Sequence, residues 1–358
     1  MRIAILTSGG DAPGMNAAIR ALAVVGAARG HSVIGVKHGY HGLFTRDTSP
    51  LEADLTEGIT RQGGTILGSS RCMEMMAPGG PEIALARLKE LGVDGLVVIG
   101  GNGSLTGANA IGAAATRAGD TSLRVVGLAA SIDNDVGHAG LAIGVDTAVN
   151  TIVSACDRIS DTARAHRRCF IVEVMGRNCG FLAMRAGIAA EADAILYGEA
   201  GLTEDAVVER LRRILARCFA PGRNKKRALI VKSEGLTIPV ATLRKRIGDV
   251  LNEIAPGVDC RETVLGHTVR GGDPSALDRT IAQRLSFGAV LALEAGLSNV
   301  MLGWEPPFGV GRETMDPSVR VIPIDEVLAE TARLLDGTSP VIQRRMSMLS
   351  QVEEILPG

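Results

Sequence analysis

The segment Ser131-Ile132-Asp133-Asn134-Asp135 sets two carboxylates two residues apart beside a hydroxyl. Such a pair can divide the labour of group transfer, one aspartate accepting a hydroxyl proton and the other holding a metal-bound phosphate. Taken singly, Asp-x-Asp in a loop is more often turn chemistry. Two glycine-rich segments accompany it, Thr7-Ser8-Gly9-Gly10-Asp11-Ala12-Pro13-Gly14-Met15-Asn16 and Ile99-Gly100-Gly101-Asn102-Gly103-Ser104, each directly after an apolar run. Unpaired backbone N–H groups at a strand-to-helix turn, reinforced by the helix dipole, favour a phosphate, although glycines after a strand can be no more than a tight turn. Two familiar templates are missing from the sequence. There is no G-x-x-x-x-G-K-[ST], and no G-x-G-x-x-G followed by the acidic residue that a nicotinamide ribose needs, since the second apolar run ends at Val36-Lys37-His38.

The elements that must position these loops are short apolar runs at 2–6, 32–36, 95–99, 123–128, 169–174 and 227–232, alternating with helical patterns such as that near 15–29. Strands of this kind, separated by helices, predict parallel sheets covered on both faces. Three loops at three successive strand ends form a stronger signal than any one of them, because open α/β sheets bind ligands at strand carboxyl ends. Segments 76–81, 220–226 and 304–318 are rich in Pro and Gly and read as loops; the tail from about 324 reads as a helix, a Gly-Thr-Ser-Pro break and a last helix.

With 358 residues, 46% of them hydrophobic and 22% charged, the chain has the size and balance of two globular domains. A net charge of -1 gives no pull toward nucleic acid or anionic membrane. Only six of the 38 basic residues are lysine, which reflects codon bias, a preference for the guanidinium fork at phosphates, or both. The six cysteines (72, 156, 169, 179, 218, 260) form no C-x-x-C pair, which argues against structural zinc and against a secreted disulfide framework. The first residues lack the pattern of a signal peptide and no apolar run reaches membrane-spanning length, so a cytoplasmic location is expected.

The motifs together resemble those of the ATP-type 6-phosphofructokinase family. Thr7 to Asn16 is similar to the family's opening signature, Gly63-Gly64-Thr65-Ile66-Leu67-Gly68-Ser69-Ser70-Arg71 to its second loop, and Gly100–Ser104 and Ala130–Asp135 to the next two. Glu173-Val174-Met175-Gly176-Arg177 and Gly266-His267-Thr268-Val269-Arg270-Gly271-Gly272 resemble its sugar-phosphate motifs. The resemblance implies two Rossmann-like three-layer α/β/α domains with parallel-rich sheets and a cleft between them. The nucleotide-binding domain would comprise 1–144 plus about 269–319, and the sugar-phosphate domain 145–268 plus about 320–358.

The activity implied is transfer of the ATP γ-phosphoryl group to the 1-hydroxyl of fructose 6-phosphate, with Mg²⁺. Asp133 would be the base, with Ser131 (threonine in most of the family), Gly10, Arg71 and Arg177 completing the catalytic set. The nucleotide would meet Gly9, Gly10, Tyr40, Arg71, Cys72, Gly101, Asn102, Gly103 and Ser104, and the metal Asn102 and Asp135. The sugar phosphate would meet Ser131, Asp133, Asp135, Arg168, Met175, Gly176, Arg177, Glu234, Arg261, His267 and Arg270. In the family, arginines matching Arg168 and Arg261 reach a neighbouring subunit's site, so a homotetramer or homodimer is implied.

Four departures qualify these expectations. Asn102 stands where the family places a metal-holding aspartate, and Ala129-Ala130 where it places Pro-Gly. Pyrophosphate-using relatives carry aspartate at the position of Gly103 and lysine at that of Ala130; small neutral residues here favour ATP. The family's adenine-side basic and aromatic residues are missing from Cys72-Met73-Glu74-Met75-Met76, which leaves Tyr40 as the adenine neighbour. Val24 and Ser160 replace arginines of the bacterial effector site, while Arg20 is kept, so weak or absent regulation by ADP and phosphoenolpyruvate is expected. The competing readings are a pyrophosphate-dependent enzyme, a catalytically weak regulatory subunit and, more remotely, a nicotinamide dehydrogenase.

Overall fold

A computed structural model describes residues 1–307, 309–353 and 355. Residues 354 and 356–358, the end of the expected second domain, lie outside the described set. The chain forms two compact units, Met1–Thr147 with Arg270–Arg333, and Ala148–Val269 with Leu334–Gly358. Its strands, in chain order, are β1 (Arg2–Ser8), β2 (Ser32–Val36), β3 (Thr48–Pro50), β4 (Gly95–Gly100), β5 (Arg124–Ala129), β6 (Arg168–Val174), β7 (Ala194–Leu196), β8 (Arg227–Ser233), β9 (Cys260–Val264), β10 (Val300–Trp304), β11 (Arg312–Glu313) and β12 (Val319–Pro323).

In the first unit the strands make one sheet of order β11-β12-β10-β5-β4-β1-β2-β3. The run from β2 through β1, β4 and β5 to β10 is parallel, and antiparallel β3, β12 and β11 finish its edges. The continuous apolar runs have the expected cause: all six residues of β4 and five of six in β5 are buried. Each Val, Leu or Ile so buried contributes about 1.5–3 kcal/mol. The antiparallel pairing of β12 with β10 keeps the chain in this sheet through Pro323. The crossing expected near 320 therefore falls later, after Arg333.

In the second unit four strands, all parallel, lie in the order β7-β8-β6-β9. Helices Glu204–Cys218 and Val240–Ile254 place Val207, Leu211 and Leu215, and Leu243, Ile247 and Leu251, in one core with Ile171 and Ile230. The four-residue spacing gives each helix one apolar stripe. Thr203 caps the first of them, its side chain accepting from the Ala206 N–H. Two α/β units with parallel-rich sheets are thus the architecture, as the sequence predicts.

Candidate functional site

In the first unit the three chemistry-bearing loops emerge from three adjacent parallel strands. Ser8 at the end of β1 pairs with Gly100 at the end of β4, and Gly100 with Ala129 at the end of β5. Parallel pairing therefore delivers Gly9-Gly10, Gly101-Asn102-Gly103 and Ser131–Asp135 side by side at the sheet's carboxyl edge. The Ala130 N–H donates to the Gly100 carbonyl at 3.0 Å, which ties the second loop to the third. Gly101 caps helix Asn102–Arg117, so the N–H groups of its first turn open at this edge.

The Asp-rich segment alternates. Ser131, Asp133 and Asp135 are partly exposed, whereas Ile132, Asn134 and Val136 are buried. Asn134 has φ of 50°, and its amide spans the turn, donating to the Gly140 carbonyl at 3.1 Å and accepting from the Ala142 N–H at 3.0 Å. A buried asparagine thus holds the turn in which Ser131, Asp133 and Asp135 remain partly exposed. Ser131 Oγ donates to Asp135 Oδ1 at 2.8 Å.

Loop 63–71 is fastened to the first glycine loop by uncharged groups. Thr7 Oγ1 lies 2.8 Å from Thr65 Oγ1 and donates to the Gly68 carbonyl at 2.9 Å. Asn16 donates to the carbonyls of Gln62 and Gly63 and accepts from the Ile66 N–H at 2.7 Å. Ser69 Oγ donates to the Gly9 carbonyl at 2.5 Å and Ser70 Oγ to the His38 carbonyl at 2.8 Å. These bonds set exposed Arg71 beside the first loop. Arg270, expected among the sugar-phosphate residues, belongs to this unit; its Nη1 donates to the Asp11 carbonyl at 3.1 Å. A Cβ on Gly10 would stand 2.7 Å from that nitrogen, so glycine is what permits the approach.

Tyr40 departs from expectation. Its ring is 4% exposed and its hydroxyl donates to the Ser104 carbonyl at 2.6 Å. Burial drives its hydroxyl pKa far above the usual range. Tyr40 therefore supports the second glycine loop from beneath and offers no open face for stacking on adenine. Cys72 is partly exposed and donates to Glu74 at 3.5 Å; partial burial pushes its thiol pKa up. Asn102 is partly exposed, and Gly103 is exposed with open space around the position of a Cβ.

In the second unit the expected residues form two groups. At the carboxyl ends of β6, β8 and β9 stand Met175-Gly176-Arg177, Glu234 and His267; Arg177, Glu234 and His267 are exposed. Gly176 has φ of 125°, and its carbonyl accepts from Ser233 Oγ at 2.6 Å. Glu234 Oε1 accepts from the Gly176 N–H at 3.4 Å. At the opposite end, Arg168 opens β6, and Arg261 is the second residue of β9; Arg261 pairs with Asp259 at 2.7 Å and Arg168 approaches the same carboxylate at 4.0 Å. β6 has seven residues, so the two groups lie roughly 20 Å apart along the sheet.

Sequence reasoning missed the residues that hold these groups in place. Lys232, with a side chain 1% exposed, bonds Glu173 Oε2 at 2.6 Å beneath the second unit's carboxyl edge. Its scarcity value was visible, since lysine is rare in this chain and Lys232 precedes Ser233-Glu234. In the first unit, buried Asp278 accepts from the N–H groups of Gly144 and Thr147, both at 2.8 Å, and from Thr147 Oγ1 at 2.5 Å, anchoring the start of helix Val145–His166. Burial raises its pKa, with the hydrogen bonds opposing the rise. Nothing in the sequence marks that aspartate, because its partners lie more than a hundred residues away.

The family model for phosphofructokinase matches residues 2–293. The chain is similar to the ATP-dependent 6-phosphofructokinase of Thermotoga neapolitana, 41% identical over 334 residues, covering 93% of this chain and 99% of that protein. It is also similar to ATP-dependent 6-phosphofructokinase 2 of Bacteroides thetaiotaomicron, 43% identical over 303 residues, covering 85% and 88% of the two chains. Among solved structures, phosphofructokinase from Saccharomyces cerevisiae superposes with a TM-score of 0.83 at 30% identity, covering 97% of this chain; the chain spans 50% of the yeast chain's length. The pyrophosphate-dependent enzyme of Marinobacter aquaeolei shares the fold, with a TM-score of 0.75 at 20% identity over 91% of this chain and 84% of that one. With its family match running from the first strand into helix Ala276–Glu294, the chain belongs to the phosphofructokinase family.

Proposed function

We propose that the chain transfers the γ-phosphoryl group of ATP to the 1-hydroxyl of fructose 6-phosphate, giving fructose 1,6-bisphosphate and ADP. The observation that carries this reading is the partly exposed set Ser131, Asp133 and Asp135 beside two glycine loops at one sheet edge, in a member of this family. Asp133 orients the sugar hydroxyl and accepts its proton as the new P–O bond forms and the bond to ADP breaks. A carboxylate is a weak base toward an alcohol, so the proton moves late and orientation is the larger part of its work. The Gly10 N–H, Arg71 and Arg177 supply positive charge to a phosphoryl group whose transition state is loose and charge-dispersed.

The nucleotide side comprises Gly9, Gly10, Arg71, Cys72 and the helix start from Gly101 to Ser104. Asp135 and Asn102 are the residues that would hold magnesium. Their hard oxygen donors suit an ion that takes few protein ligands and completes its shell with water and phosphate. Bound there, magnesium would neutralise triphosphate charge. ATP is favoured over pyrophosphate by the open space around Gly103 and by Ala130, small, neutral and 1% exposed.

The sugar side comprises Met175, Gly176 and Glu234 for hydroxyls, and Arg168, Arg261, His267 and Arg270 for the 6-phosphate. Arginine forks suit that phosphate better than ammonium groups. Because Arg168 and Arg261 sit at the far end of the strands from Glu234, a second copy of the chain is the natural source of those two arginines at any one site. We therefore read the enzyme as a homo-oligomer, dimer or tetramer, working in the cytoplasm. Among the described residues no helix is long and apolar enough to cross a membrane. At the former effector position, Arg20 donates to Thr56 Oγ1 at 2.9 Å and to the Ala53 carbonyl, which supports weak effector response.

A coupled assay for fructose 1,6-bisphosphate tests the reading. Turnover with ATP that requires Mg²⁺, and none with pyrophosphate, is the expected result; turnover with pyrophosphate alone would overturn the donor assignment.

A further inference from the structure

We propose that His41, Cys72 and Glu74 form a site on the first unit for a borderline-soft divalent cation of the zinc class. Their donor atoms, an imidazole nitrogen, a sulfur and a carboxylate oxygen, all lie within 4.8 Å of one another. His41 Nδ1 stands 3.3 Å from Glu74 Oε1, and Cys72 Sγ stands 3.5 Å from Glu74 Oε2. Zinc bonds of about 2.0–2.3 Å arranged tetrahedrally put neighbouring donors roughly 3.3–3.6 Å apart, so a set lying within 4.8 Å closes onto an ion by side-chain movements on the order of 1 Å.

The chemistry of the donors selects the ion. A thiolate and an imidazole favour Zn²⁺ and its neighbours over Mg²⁺, which prefers oxygen and retains its water. Thiolate and carboxylate together carry two negative charges, matching the ion's two positive ones. Three protein ligands leave a fourth position for water or an incoming ligand. The carboxylate of Glu74 already bridges the other two residues, so the set is held together before any ion arrives. His41 begins helix His41–Thr45, and Cys72 and Glu74 lie at the start of helix Met73–Met76. An ion here would tie those two helices directly beside Arg71. Its value as a brace for the loop that carries Arg71 rests on the kinase reading above; the binding itself does not.

Cobalt reports the site, because a Cys–Co²⁺ bond gives a thiolate charge-transfer band. Among the described cysteines the other five are buried, which leaves Cys72 as the accessible thiol. The reduced full chain, in excess Mg²⁺, is titrated with Co²⁺ and then back-titrated with Zn²⁺. Expected are one ion per chain, the charge-transfer band, and its loss as Zn²⁺ displaces Co²⁺. Cys72→Ser should abolish the band, and His41→Asn and Glu74→Gln, both at solvent-accessible positions, should each weaken binding at least about tenfold. Absence of the band at one equivalent, or affinity unchanged in both the His41 and Glu74 variants, would overturn the site. The titrations read metal binding alone, without turnover, so failure here is distinct from failure of the kinase assignment.

Discussion

The two units present their candidate functional residues at sheet edges in opposite styles. The first offers glycines, backbone N–H groups and a short acidic turn, fastened by hydroxyls and amides: Thr7, Asn16, Thr65, Ser69 and Ser70. The second offers long charged side chains at both ends of its strands, Arg177, Glu234 and His267 above a charge pair of Lys232 with Glu173, and Arg168 and Arg261 at the opposite end. Backbone donors need no ordering at the moment of reaction, which suits a transferring phosphoryl group. Guanidinium forks give orientation to a phosphate that must also be released. The difference teaches that the first edge should fail by added volume or a lost carboxylate, and the second by unbalanced charge.

The largest effect expected is that of Asp133→Asn. It keeps the shape of the turn but removes the proposed proton acceptor, and kcat should fall on the order of 10²–10⁴-fold with sugar-phosphate binding within a few fold. Binding is read by equilibrium dialysis and kcat by the coupled assay. A kcat within tenfold of wild type would remove Asp133 from the mechanism.

Next is Lys232→Met, which leaves Glu173 without its partner. Breaking such a pair costs about 3 kcal/mol, the low end of the usual range because Glu173 keeps 17% of its side chain exposed. Urea unfolding checks this, and Lys232→Met with Glu173→Leu should recover most of the loss. If the single variant is as stable as wild type, the second edge does not depend on charge balance.

Gly10→Ala probes the first edge by volume alone. Its Cβ would press on Arg270 Nη1 at 2.7 Å and push the loop or the arginine aside. Displacements of about 1 Å at a reacting centre cost on the order of 10²-fold, so kcat/KM should drop by roughly that factor while the unfolding midpoint hardly moves. A drop in stability without a drop in kcat/KM would make Gly10 a folding residue only.

The smallest effect belongs to Asn102→Asp. One added negative charge near the expected metal position is worth on the order of 1 kcal/mol in a well-hydrated site, so half-saturating Mg²⁺ should fall about fivefold. Unchanged metal dependence would place the ion away from residue 102.

Legibility followed the same division. The strands that carry the first edge were plain in the sequence because β1, β4 and β5 are buried on both faces and read as unbroken apolar runs. β9, Cys-Arg-Glu-Thr-Val, was not, since it is an edge strand with its polar residues outside. β7 has three residues, and β12 lies beyond a Pro- and Gly-rich stretch that hid the return of the chain to the first sheet. Glycine loops announce themselves locally, whereas Tyr40 misled because a tyrosine near a nucleotide loop reads the same whether its ring is open or buried. Asp278 and Lys232 act across distant segments, and only the pairing of strands and helices reveals their work.

The most direct measurement is ³¹P NMR of the protein supplied with fructose 6-phosphate, Mg²⁺, ATP and pyrophosphate together. The account predicts loss of the ATP γ-phosphorus signal, equal growth of ADP and of a second phosphate on carbon 1 of the sugar, and an unchanged pyrophosphate signal. Consumption of pyrophosphate, or loss of ATP without a sugar bisphosphate, would contradict it.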